Sequence, residues 1–91
     1  MGEAGDRPGE FKDARGIAID PWGNIYVVDS GNDRVQQFSP DGAFVAAWGG
    51  VGSTPGQFRS PGAITIDQRG NVYVADSGNF RIQRIPAARA P

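Results

Sequence analysis

Residues 17–38 and 64–85 of this chain repeat each other. The first stretch reads IAIDPWGNIYVVDSGNDRVQQF and the second ITIDQRGNVYVADSGNFRIQRI. Asp20 matches Asp67, Gly23 matches Gly70, Tyr26 matches Tyr73, Asp29 matches Asp76 and Arg34 matches Arg81, always 47 residues apart. PGEF at 8–11 and PGQF at 55–58 keep the same offset. A fixed period of about 20–50 residues belongs to arrays in which one repeat cannot bury its own apolar face and needs a neighbour to cover it. Two copies in 91 residues make a thin core, because small domains bury only a modest share of their surface. Association with further copies is therefore the first expectation.

Each repeat reads as short strands. In the first they fall at 16–20, 25–29, 34–38 and 43–48, each rich in Val, Ile, Phe or Tyr. Turn chemistry separates them: Pro21-Trp22-Gly23-Asn24, Ser30-Gly31-Asn32-Asp33 and Ser39-Pro40-Asp41-Gly42. Strands at this spacing, joined by Gly, Asn and Asp, form a meander of hairpins. No helix is expected, since no apolar run continues for about ten residues without a breaker. The second repeat supplies strands at 63–67, 72–76 and 81–85 but no counterpart of FVAAWG, so its sheet is expected to lack the outer strand. Ile25-Tyr26-Val27-Val28 is apolar at both parities, whereas Ile17-Ala18-Ile19 is bulky on one face and small on the other. A sheet apolar on both faces must lie between like sheets, and radial repetition of such sheets is the β-propeller solution.

The fold class that follows is all-β, with two four-stranded antiparallel blades, the second incomplete. Its expected parts are an N-terminal loop over 1–11, a first blade over 12–48 and an inter-blade loop over 49–62. A second blade over 63–85 and a tail over 86–91 complete the chain.

Composition narrows the chemistry. The net charge of −1 argues against nucleic acid or an anionic membrane as partner, since both select a basic stripe. The chain has neither cysteine nor histidine, which removes disulfides, thiolate nucleophiles, histidine-based triads and the usual zinc sites. The expectation is no catalysis, no resident metal and no cofactor. No apolar run approaches the roughly 18 residues of a membrane span, and MGEAGDRPGEF lacks the apolar core of a signal peptide. The compartment is left open.

The string DxxGNxYVxDSGNxRIQxF, with PGxF upstream and FVxxWG downstream, resembles the NHL repeat, and both copies carry it. The resemblance implies propellers of about six four-stranded blades, in which the first strand of each repeat lines a central channel. The family it points to is functionally diverse: RNA or protein binders, lyases, lactonase-like enzymes and extracellular domains of bacterial kinases. Fold alone therefore does not assign function.

Several residues stand out. Asp29 with Arg34, and Asp76 with Arg81, read as structural pairs in which the carboxylate caps turn amides and the arginine pairs with a carboxylate. Their recurrence once per blade suits that role better than catalysis. The loops at Asp20 and Asp67 each hold one carboxylate, too few for a calcium loop, and read as hairpin turns. Tyr26, Phe38, Trp48 and Tyr73 are expected between blades, and Trp22 in an exposed turn. Lys12, Arg15, Asp33, Arg59 and Phe80 differ between the repeats, lie in loops expected around the channel mouth, and are the candidate contacts for a ligand. The expected function is a self-assembling, non-catalytic binding or structural scaffold. Its partner is itself, as a trimer giving six blades or alternatively a tetramer giving eight. A protein or small molecule at the channel mouth is a further expected partner. The alternative is a lactonase-like or other hydrolase with a metal at the channel.

Overall fold

The computed structural model describes residues 3–49 and 57–85. Half of the inter-blade loop (50–56) and the tail (86–91) lie outside the described residues. Among the described residues nine strands make three sheets. The strands β1 (Glu3–Ala4) and β2 (Glu10–Phe11) form a small parallel pair. A four-stranded antiparallel sheet follows in the order β3 (Ala14–Ile19), β4 (Ile25–Asp29), β5 (Arg34–Phe38), β6 (Phe44–Gly49). The last sheet is three-stranded, in the order β7 (Pro61–Ile66), β8 (Val72–Asp76), β9 (Arg81–Ile85). The chain is thus all-β with two antiparallel sheets of four and three strands. Each 3–4 residue DSGN turn is a single 3-10 turn, at Ser30–Asn32 and Ser77–Asn79, where a plain hairpin was expected.

The repeated β3–β4 and β7–β8 hairpins close on Gly23 and Gly70, at φ 88° and 87°. That left-handed backbone is open to glycine without steric cost, which accounts for the Gly in both DxxGN turns. Adding a Cβ to Gly70 would also drive it into the Trp22 ring. Trp22 is 41 % exposed, yet its ring covers the turn of the other sheet.

The core lies between the two sheets. Tyr26, Val28 and Val35 share one face of the first sheet, with Trp48 beside them by register. They meet Phe58, Val72, Val74 and Ile85, while Ile64 and Ile66 pack partly against the cluster. Tyr26 and Trp48 stack at a centroid distance of 6.0 Å. Burying a Val, Ile or Phe side chain contributes about 1.5–3 kcal/mol, so this single interface carries most of the apolar stabilisation.

Two of the expected blade-interface residues lie outside the interface that closes within the chain. Phe38 is buried but points to the opposite face from Tyr26, because Ile25, not Tyr26, is its register partner. It is covered by Phe11 of β2 at 5.9 Å and by Phe44 of its own sheet at 6.1 Å. Tyr73 is only half-buried and lines a shallow apolar depression with Ala63, Ile64, Thr65, Ala75 and Ile82. It lies on the face of the second sheet turned away from the first. Tyr26 and Trp48 do lie between the sheets.

The stacking leaves two open faces. Tyr73, Ala75 and Ile82 stand at the repeat positions of Tyr26, Val28 and Val35, and Ile82 is 71 % exposed where Val35 is 0 %. Ile17 and Ile19 stand at the positions of Ile64 and Ile66 and are 66 % and 63 % exposed. The front of the second sheet and the back of the first thus present the two halves of the interface that is closed inside the chain.

Candidate functional site

The Asp–Arg pairs are built the same way in both sheets. Asp29 ends β4 fully buried. Its Oδ1 accepts the backbone N–H groups of Lys12 and Asp13 at 3.0 and 3.2 Å. Its Oδ2 accepts Asn32 Nδ2 at 2.7 Å and Arg34 Nε at 3.2 Å. Asp76 repeats this with Arg59 N at 2.7 Å, Asn79 Nδ2 at 2.8 Å, Arg81 Nε at 3.0 Å and Gln83 Nε2 at 3.1 Å. The amides capped by Asp29 are not those of its own turn, as the sequence suggested, but those of the loop entering β3, 16 and 17 residues upstream. Burial alone would push the Asp76 carboxyl up. The N–H of Arg59 and the side chains of Asn79, Arg81 and Gln83 outweigh it and hold the group below the usual carboxylate range.

The arginines reach further. Arg34 donates to the carbonyls of Asp6, Arg7 and Glu10, fastening the N-terminal arm over β5. Arg81 donates to the carbonyl of Gln57 in the matching place. Gln36, fully buried, accepts Gly9 N–H and donates to the Glu10 carbonyl. Gln83 donates to the Gln57 carbonyl.

At the other end of the blades, each hairpin aspartate is consumed by its own turn. Asp20 accepts the N–H groups of Trp22 and Asn24, the Asn24 amide and the Tyr26 hydroxyl. Asp67 accepts the four corresponding donors. Burial, then the charge and hydrogen bond of Asp20, push the Tyr26 phenol upward, so it stays a neutral donor. With both oxygens already serving the turn, neither loop offers a carboxylate to a cation. Among the described residues no group of three or more His, Cys, Asp or Glu side chains is placed to hold a metal.

The loop end carries a polar groove of about 590 Å³ between the sheets, lined by Asp13, Arg15, Asp33, Ser60, Gly62 and Ser77, among others. Asp33 Oδ1 accepts Ser60 N–H at 2.8 Å across it, and Arg15 Nε sits 2.8 Å from Asp13 Oδ2. Of the five candidate contacts, Arg15 and Asp33 therefore come together. Lys12 and Arg59 anchor their loops through the backbone N–H groups given to Asp29 and Asp76, and both are exposed. Phe80 lies outside the groove and is 96 % exposed.

A family model for the NHL repeat matches residues 11–38 and 58–85. The chain belongs to the NHL-repeat family. No curated protein matches it closely enough to transfer a function.

In this NHL chain each matched segment runs from the aromatic anchor, Phe11 or Phe58, to the last residue of the third strand, Phe38 or Ile85. The repeated Asp, Asn, Arg and Gln side chains within it are structural by geometry: they hold turns, loops or the arm. The groove, a concave polar surface on a rigid sheet frame, is lined by the non-repeated Asp13, Arg15, Asp33 and Ser60 and by the repeated pair Ser30 and Ser77. Sequence reading passed over Gln36 and Gln83 as site residues. The two glutamines had a signal, being identical at a 47-residue offset. Ser60 stood out only by differing from Asp13 at the matching position, and its partner, Asp33, comes from the other repeat.

Proposed function

We propose that this chain is a non-catalytic binding or structural module whose two sheets act as propeller blades. Copies associate head to tail into a closed ring, three chains giving six blades. The observation that carries this reading is the match between the open faces and the closed interface. The front of the second sheet offers Tyr73, Ala75 and Ile82, and the back of the first offers Ile17 and Ile19, at the repeat positions of residues that already pack together. Because the two faces differ, the contact is heterologous, and such contacts close into rings when the rotation permits. Six blades is the number that the NHL resemblance implies; four chains with eight is the other closed solution. The loops of all blades would then gather at one mouth of the ring, where a protein or small molecule binds. No basic stripe favours nucleic acid or a membrane as partner. Among the described residues no helix is long and apolar enough to cross a membrane.

The competing reading is a hydrolase with a metal at the channel. A calcium titration followed by thermal melting separates the two. A site filled at about a hundredfold over its Kd would add roughly 2.7 kcal/mol of stability. The scaffold reading expects no change in melting temperature at millimolar calcium. A saturable rise of several degrees would favour the metal-hydrolase reading instead.

A further inference from the structure

The polar groove inside the chain is built from fixed repeat positions. The first blade supplies Asp13, Arg15 and Asp33, and the second supplies Ser60 and Gly62. At a junction between the second blade of one copy and the first blade of the next, every position shifts by one repeat of 47 residues. Phe80 then stands where Asp33 stood, Asp13 where Ser60 stood, and Arg15 where Gly62 stood. The ring therefore has two kinds of junction, and their loop chemistry differs at all three positions.

Phe80 is suited to the second kind. Its backbone sits at φ 53°, matching Asp33 at 52°. That left-handed conformation is rare for a bulky side chain and common for Asp or Asn. At Asp33 it aims a carboxylate at the neighbouring blade, where Ser60 N–H is accepted at 2.8 Å. The same backbone aims the Phe80 ring in the same direction, and within one chain it meets nothing: it is 96 % exposed. The matching side of the first blade holds Arg15, its guanidinium 2.8 Å from Asp13 and mostly solvent-exposed. Gly62, at the repeat position of Arg15, leaves the inner groove open; Arg15 would fill the outer one.

We infer that Phe80 and the Asp13–Arg15 pair form the loop contact that joins one copy of this chain to the next. This rests on the ring proposed above. The Phe80 ring lies over the Arg15 guanidinium of the following copy, a cation–π contact that a desolvating neighbour strengthens. Asp13 holds Arg15 in place and also excludes the alternative: an aspartate at position 80 would face it as a like charge. Asp33–Ser60 thus closes the junction inside the chain, and Phe80–Arg15 closes the one between chains.

The test is a double-mutant cycle across the junction, on the full chain, with assembly measured by sedimentation against concentration. Phe80→Asp relieves the strained backbone, so the single chain keeps its fold, which circular dichroism checks. It should nevertheless weaken assembly roughly tenfold or more at low salt, less at high salt. Phe80→Asn, with no charge, should lose several-fold. Adding Asp13→Ser to Phe80→Asp rebuilds the Asp–Ser arrangement of the inner junction and should restore much of the lost affinity. Unchanged assembly of Phe80→Asp and Phe80→Asn, or a double variant no better than Phe80→Asp, would overturn the contact while leaving the ring intact. A parent chain that never exceeds single-chain mass would overturn the ring and the contact together.

Discussion

Asp76→Asn lowers the melting temperature of the chain by roughly 10 °C at neutral pH. The side chain is fully buried and gathers Arg59 N–H, Asn79, Arg81 and Gln83. Removing the charge leaves those donors aimed at a weaker acceptor and the Arg81 guanidinium without its carboxylate. Breaking a fully buried pair costs about 3–5 kcal/mol. Arg81 is 29 % exposed, so water screens part of that loss and the expected cost is about 2 kcal/mol, which is on the order of 10 °C for a chain this small. The pH dependence has a definite sign. The folded-state pKa of Asp76 is depressed below its ordinary value of 3.8. A depressed carboxylate contributes stability that is complete above the unfolded pKa and is lost as pH falls through the folded one. The gap between parent and Asp76→Asn should therefore be full at pH 6–7, narrow below about pH 4, and close in stronger acid. Melting both proteins across that range by circular dichroism checks it. A gap that stays constant down to strong acid would mean that the charge of Asp76 is not the source of its stabilisation.

Ile82→Asp abolishes assembly while leaving the two-sheet unit folded. The contrast comes from exposure. Ile82 is 71 % exposed in the single chain, where an aspartate meets water, whereas its repeat counterpart Val35 is completely buried against the other sheet. In a head-to-tail ring the aspartate would take the environment of Val35, with no cation placed to meet it. An unpaired buried charge costs roughly 3–5 kcal/mol per junction, which is a factor of about 150 to several thousand in affinity for each contact. Val35→Asp is the matched control: the same change inside the chain should unfold the unit itself. Mass and circular dichroism together read the result. An Ile82→Asp variant that assembles like the parent would mean that this face is not the one used.

Strand positions and turn types were legible because each strand is short, β-rich and closed by Gly, Asn or Asp. The seven longer strands lie within two residues of where period and punctuation put them. Facing was harder. Tyr26, Val27 and Val28 are apolar at both parities, so alternation could not say which face meets the second sheet, and Phe38 lies on the face turned away from it. Its cover, Phe11, belongs to a two-residue strand too short to carry a pattern. The bulky stripe of Ile17 and Ile19 read as a buried face, yet in the single chain it is open, because what covers Ile64 and Ile66 is another blade. The aspartates were recognised as structural, but not the loop at Lys12 and Asp13 that Asp29 caps, since a contact across 16–17 residues leaves no local trace. The groove was legible only as a set of differences between the copies. That Arg15 and Asp33 share it, and Phe80 does not, follows from how the sheets stack.

The head-to-tail ring is the centre of this account, and the mass of the chain in solution tests it most directly. Light scattering coupled to size exclusion, across a range of loading concentrations, gives that mass without labels. Three chains of 9.6 kDa predict a single species of about 29 kDa whose mass stops rising once the ring is closed. A folded, monodisperse species at single-chain mass down to low micromolar concentration would contradict it, as would a mass that keeps growing with concentration, the behaviour of a contact that does not close.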